Sequence, residues 1–227
     1  MDNLIKKKLN LIKNNWEIEN LFYEKVHPSR IQKLLNHYEL LKRTTNIKGA
    51  IIECGVLKGN SLLRFAHFRD YLGLKKTIYG FDVFGSFPKS YKKTNNIIVK
   101  KEKNFAKIHD KNIGKGNSKK FVKKLLDTKK IKNYLLIEGD VLISVDKFLS
   151  KNKNLKISML HLDMDVYLPT QHVLEKFYKF MSKNAIVVID DFKIHPGATH
   201  ATNMFLKKKK IKIKVLKNKR PTYYFIK

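Results

Sequence analysis

The residues best suited to chemistry are acids that each follow an apolar run. Glu53 follows the run 49–52, Asp82 follows 77–81 and Asp140 follows 134–139. Asp163 follows 157–162, and the pair Asp190-Asp191 follows 185–189. The densest stretches are His161-Leu162-Asp163-Met164-Asp165-Val166-Tyr167 and Ile189-Asp190-Asp191-Phe192. Carboxylates delivered together by neighbouring strand ends repel one another unless positive charge stands between them. A hard cation meets that need, and all-oxygen ligation suits Mg²⁺, Mn²⁺ or Ca²⁺ rather than zinc. Three or four of the carboxylates Asp163, Asp165, Asp190 and Asp191 are the candidate metal ligands. The competing account is that these acids cap helices and pair with nearby lysines.

The turn from Glu53 to Ser61 carries Gly55 and Gly59, which permit a tight bend and close backbone approach to a ligand. It lacks the Gly-Lys-Ser/Thr spacing of a phosphate-cradling loop and the three-glycine dinucleotide fingerprint. An acid at its start suits a cationic ligand better than a pyrophosphate. The plain alternative is an ordinary strand-to-helix turn. Asp82 is suited either to accept the hydroxyls of a ribose or to cap the next segment. Asp140 faces the same choice between an adenine amino group and a turn. His195 follows the Asp pair and is placed to take a proton, since imidazole titrates near neutrality; an exposed loop histidine is the alternative. His161, inside an apolar run, reads as a hydrogen-bonded core residue. Cys54 reads as a small buried residue, and a single cysteine excludes an internal disulfide or a cysteine-cluster zinc site.

Positioning these residues requires strands that end where the acids begin. Strands are predicted over 49–52, 77–81, 134–138, 157–162 and 185–189, because each is a short apolar run. Helices are predicted over 29–43, 61–72, 118–127, 145–149 and 170–181. Segments 211–216 and 222–226 flank a turn and predict a hairpin. Strands alternating with helices predict an α/β fold, with a mostly parallel sheet covered on both faces and one antiparallel strand from the hairpin. In such a sheet ligands bind outside the carboxyl ends of the strands, where strand order reverses. The domain organisation predicted is an N-terminal helical extension over 1–48 and one domain over 49–227. The Lys/Asn-rich segment 89–118, with little periodicity, is predicted to be a lid or acceptor-binding segment.

The chain has 227 residues and a formal net charge of +30. Basic charge of this size invites an acidic partner, because Lys and Arg displace counterions from phosphates. The 44 lysines against 5 arginines are spread along the whole chain. That distribution favours a solvated lysine surface over nucleic-acid reading, which relies on the bidentate guanidinium. An acidic substrate stays open. No apolar run is long enough to span a membrane, and the N-terminus lacks a signal-peptide pattern, so the expected location is cytoplasmic. Self-association into a homo-oligomer is left open.

Taken in order, five motifs resemble the macrocin O-methyltransferase (TylF-type) family. They are Glu53-Cys54-Gly55-Val56 with Gly59 and Ser61; Gly80-Phe81-Asp82 with Phe84, Phe87 and Pro88; Glu138-Gly139-Asp140-Val141; Leu162-Asp163 with Asp165, Tyr167 and Thr170; and Ile189-Asp190-Asp191-Phe192. They span roughly residues 28–205. The resemblance implies a Rossmann-like class I methyltransferase sheet of seven strands, S-adenosylmethionine as methyl donor and Mg²⁺ as cofactor. It also implies a sugar hydroxyl, on a small molecule or glycan, as acceptor. Under it, Glu53, Gly55, Val56, Gly59, Asn60 and Ser61 hold the methionine part of the donor. Asp82 takes the ribose, with Ser86 grouped among the donor contacts, and Gly139 and Asp140 lie by the adenine. Asp163 contacts the donor, binds metal with Asp190 and Asp191, and takes the acceptor's proton; His195 is the second catalytic candidate. Two departures stand out. Asn60 replaces a glycine usual in the turn, and His161 stands where the family often has arginine. The competing functions are methylation of RNA or another non-sugar acceptor, and non-catalytic binding of an anionic polymer on the same scaffold.

Overall fold

The structure is a computed structural model that describes residues 14–87, 97, 102, 104–217 and 220–227. The first thirteen residues of the predicted extension, much of the predicted lid (88–96, 98–101 and 103) and positions 218–219 of the hairpin turn lie outside the described residues.

Short apolar runs form the strands, and polar caps or glycines break them. In chain order the elements are α1 (Asn15–Lys25), α2 (Pro28–Lys42), β1 (Ala50–Cys54), α3 (Asn60–Tyr71), β2 (Ile78–Asp82) and α4 (Phe105–Asn112). There follow α5 (Lys119–Thr128), β3 (Tyr134–Glu138), α6 (Val141–Lys151), β4 (Ile157–Leu162) and α7 (Tyr167–Phe177). The chain closes with β5 (Met181–Ile189), α8 (Pro196–Lys209), β6 (Lys214–Leu216) and β7 (Thr222–Ile226). The described strands make one seven-stranded sheet in the order β3-β2-β1-β4-β5-β7-β6. β1 to β5 pair in parallel, while β7 runs antiparallel to both β5 and β6. The chain winds outward from β1 to β3, then returns to lay β4 on the other side of β1. The order therefore reverses between β1 and β4, and a crevice opens beyond their carboxyl ends.

Alternation along the strands supplies two cores. Ile52, Cys54, Leu160, Leu162, Val187 and Ile189 face one layer, under α6, α7 and α8. Ile51, Met159, Ile186 and Val188 face the other, against Leu40 and Leu41 of α2, Leu62 and Phe65 of α3 and Val122 of α5. Both faces being covered explains why the central strands are apolar throughout rather than alternating. Glu53 and His161 are paired across β1 and β4 and are both fully buried.

Several boundaries differ from those predicted, each for a local reason. α6 begins four residues early because the Asp140 carboxylate caps it, accepting from the Leu142 N–H at 3.0 Å. α7 begins at Tyr167, since Pro169 falls in its first turn, where a missing N–H costs nothing. Met181 leaves the helix and starts β5, pairing with Ile157. Within the segment that lacked periodicity, α4 forms with Phe105 packed on Phe87 at 5.5 Å between ring centroids. No helix among the described residues is long and apolar enough to cross a membrane.

Candidate active site

The first wall of the crevice is the turn after β1. Gly55 adopts φ +96°, and a Cβ there would lie 1.8 Å from the Asp163 carbonyl oxygen. Only glycine lets the ends of β1 and β4 approach this closely. Gly59, at φ +88°, turns the chain into α3. Asp82 braces this loop from β2: its Oδ2 accepts from the Val56 and Leu57 N–H groups at 2.7 and 2.8 Å, and its Oδ1 from Phe84 N–H at 2.7 Å. Leu57 and Phe84 both sit at φ +51°, a left-handed conformation that these hydrogen bonds help to hold. From the far side Asn117 closes on the loop, donating from its backbone N–H to Leu57 O and from Nδ2 to Lys58 O.

Gly55, Val56, Asn60, Ser61, Asp82 and Asp163 thus line one cavity of about 310 Å³. An adjoining apolar recess is lined by Phe81, Gly139, Asp140, Val141 and Pro169, besides Gly55, Asp82 and Asp163. Glu53 lies elsewhere: it is fully buried behind the loop, with Oε1 3.0 Å from His161 Nδ1. Ser86 is exposed and lines neither space, and Gly59 shapes the turn without facing the cavity.

The floor is acidic. Oxygens of Asp163, Asp190 and Asp191 fall within 4.8 Å of one another. β4 and β5 set this spacing through their register, which carries on past the strands as Asp190 N–H donates to Leu162 O. Asp191 Oδ2 accepts from the Met164 and Asp165 N–H groups at 3.0 and 2.8 Å, fixing the turn into α7. Burial and the charge on Asp190 push the Asp163 carboxyl up to about 6. Burial, then Asp163 and Asp165, push Asp191 well above the ordinary range. A buried acid, Asp191, and a half-buried one, Asp163, both with raised affinity for protons, mark an unmet demand for positive charge, and the donor set is all oxygen. The residues present therefore fit a hard divalent cation.

Part of that demand is met by a residue that sequence reasoning passed over. Lys33 of α2 donates to Asp190 Oδ2 at 2.5 Å and lies 3.6 Å from Asp163 Oδ2. The lysine-pairing account of these acids is thus realised at Asp190. Behind it His37, also from α2, stacks on Phe65 and points Nε2 toward Asp190 Oδ1 at 3.9 Å. Its Nδ1 lies 3.3 Å from Arg64 Nη1, and burial lowers its pKa to about 3, so the imidazole is neutral. Helical spacing in 29–43 marked α2 as apolar on one face but carried no sign that Lys33 points inward.

The opposite wall holds Asp165, at φ +64°. His195 Nε2 lies 3.1 Å from its Oδ1, and His109 Nε2 of α4 lies 3.8 Å from its Oδ2. His195 lines the cavity; His200 is exposed and stands outside it, by Tyr167. The pairing of Asp165 with His195 was hidden in the sequence by a separation of thirty positions, although both residues stood in motifs already singled out.

A family model described as Macrocin-O-methyltransferase (TylF) matches residues 13–227. Among solved structures, the calicheamicin methyltransferase CalS11 is similar with a TM-score of 0.75 at 22% identity, covering 98% of this chain and 89% of its own. Its apo structure, described as a TDP-rhamnose 3'-O-methyltransferase, matches with a TM-score of 0.68 at 23% identity, covering 98% and 90%. The O-methyltransferase NovP matches with a TM-score of 0.74 at 18% identity, covering 87% of this chain and 80% of its own. At these identities the structural likeness establishes the fold. A comparison with curated proteins finds no match.

Proposed function

The chain belongs to the macrocin O-methyltransferase family and is an O-methyltransferase, and from that premise we propose that it methylates a sugar hydroxyl, using S-adenosylmethionine and a Mg²⁺ ion held by Asp163, Asp190 and Asp191. The observation that carries this reading is the meeting of three carboxylates beside the Gly55 turn, at the reversal of strand order. CalS11 and NovP, both similar in fold, are described as methyltransferases, CalS11 of a deoxysugar nucleotide.

S-adenosylmethionine supplies a methyl group on a positively charged sulfur. A divalent cation at the three aspartates supplies positive charge for the oxygen that attacks it. The chain's own residues do the rest. Gly55 leaves backbone room for the donor, and Asp82 holds the Val56–Leu57 amides in place while itself lining the cavity. The recess beside Asp140 is apolar and of the right character for a flat base. Asp163, between that recess and the floor, accepts the hydroxyl proton as the oxygen–methyl bond forms and the sulfur–methyl bond breaks. His195, oriented by Asp165, stands on the far wall as a second proton acceptor. Fixing both reactants in line converts a bimolecular encounter into a positioned one.

Asp163→Asn keeps the shape and removes the proton acceptor and one metal oxygen. Turnover with a nucleotide sugar is expected to fall by about 10²–10³-fold, with donor affinity by calorimetry changed less than about threefold. Near-normal turnover in this variant would overturn the assignment.

A further inference from the structure

Arginine is scarce in this chain, 5 residues against 44 lysines, yet Arg30, Arg64 and Arg220 all line the cavity above the acids. The other two serve the scaffold. Arg43 bonds Glu39 and Tyr224, and Arg69 bonds Asp70 and three backbone carbonyls. Among the described residues Arg30 makes no ion pair, and Arg64 has its hydrogen bond to a neutral imidazole at 3.3 Å. Arg64 is also half-buried, and burial, followed by the charge of Arg30, lowers its pKa. Two guanidinium groups on the wall of one cavity, one of them half-buried, form a place where an anion can be held by both.

From this arrangement we propose that Arg30 and Arg64, with Arg220 at the edge, form an oxyanion subsite for a phosphate or diphosphate ester carried by the acceptor. The subsite rests on the reading of the cavity as a sugar O-methylation site. The guanidinium fork matches two phosphate oxygens at once, which the ammonium groups spread over the surface do not. Its position favours the acceptor. Arg30 lies one turn before Lys33 on α2, so it stands on the side of the cavity where α2 meets the acidic floor. The β6–β7 turn leans on the same helix, since Asn36 Nδ2 donates to Arg220 O at 3.2 Å. Arg64 lies one turn into α3, the helix that leaves the Asp82-braced loop, so the subsite reaches from that loop toward the acidic floor. An acidic floor for a cation and a basic rim for an anion then face one cavity.

The same chemistry has a second source, the carboxylate of the donor itself, so the test measures both. Calorimetry of the full chain with inorganic pyrophosphate, in chelator and with the demethylated donor product saturating, is expected to show binding. Arg30→Gln and Arg64→Gln are expected to weaken it tenfold or more, while Lys153→Gln, on a distant surface, changes it less than twofold. Arg30→Lys keeps the charge and loses the fork, and is expected to fall between. No binding by the wild type would overturn the subsite, and so would an equal loss in Lys153→Gln, which would mean general attraction to a +30 protein. Weakened S-adenosylmethionine binding with unchanged pyrophosphate binding would overturn it in favour of the donor's carboxylate. Pyrophosphate binding lost in the arginine variants, from a protein that methylates no sugar, would sustain the subsite and overturn the acceptor reading. Arg30 is exposed, so its variants fold even if Arg64→Gln does not.

Discussion

The two halves of the cavity, the one we assign to the donor and the one we assign to the acceptor, are built in opposite ways. On the donor side a backbone loop is held in strained dihedrals by one carboxylate, Asp82, and by the absence of a side chain at Gly55. On the acceptor side side-chain charges from distant elements oppose one another: Lys33 of α2 against Asp190 of β5's end, and His195 before α8 against Asp165 before α7. The first half depends on shape and tolerates no added atom. The second depends on charge balance, and each of its members can be removed one at a time.

The comparison is most easily broken at Gly55. Gly55→Ala puts a methyl against the Asp163 carbonyl in a left-handed backbone, and should cost at least about 4 kcal/mol, read as a large drop in Tm together with lost donor binding. A variant as stable as the parent would show that the donor half is not shape-limited. On the charged side, Lys33→Met leaves Asp190 buried without its closest partner. In chelator, stability should fall by about 3–5 kcal/mol, and millimolar Mg²⁺ should restore part of it in thermal melts. A loss that Mg²⁺ leaves untouched would count against a cation site at these acids.

The neutral His37 gives the charged half an acid sensitivity. Its pKa is about 3 in the fold and about 6.5 when unfolded, so the unfolded chain binds the extra proton between those values. Stability from this group is therefore complete above pH 6.5 and is lost as pH falls, by about 2 kcal/mol at pH 5. Asp163, raised to about 6, acts with the opposite sign, losing its contribution as pH rises through that value. His37→Phe, keeping the stack on Phe65, should flatten the fall in Tm between pH 7 and pH 5. An unchanged slope would locate the sensitivity elsewhere. The smallest effect is expected at the brace. Asp82→Asn turns an amide N–H toward two backbone donors, and should weaken donor binding about tenfold with turnover at saturation nearly kept.

How much was legible follows the same division. The β1, β2, β4 and β5 runs, the Gly55 turn and the acids ending each strand are local patterns, and the structure brings Asp163, Asp190 and Asp191 together as their positions predicted. Asp140 took the capping role that its neighbours allowed, while still lining the recess. Glu53 was misplaced because a strand residue's facing depends on register as much as on order: paired with His161, it points into the α2–α3 layer instead of the cavity. Lys33 and Asp190 stand 157 positions apart, and one lysine among 44 carries no mark of being the one turned inward.

By itself, then, the sequence determined the order of the strands' apolar runs and the acid or glycine ending each one, because period, capping and turn chemistry act over a few residues. That was enough to predict a cavity over Asp163 and Asp190-Asp191. Only the tertiary structure decided how those acids are balanced. Lys33 and His37 meet Asp190 solely through the packing of α2 on α3 and the sheet. Charge interactions depend on distance in space and on burial, and neither is written in local spacing.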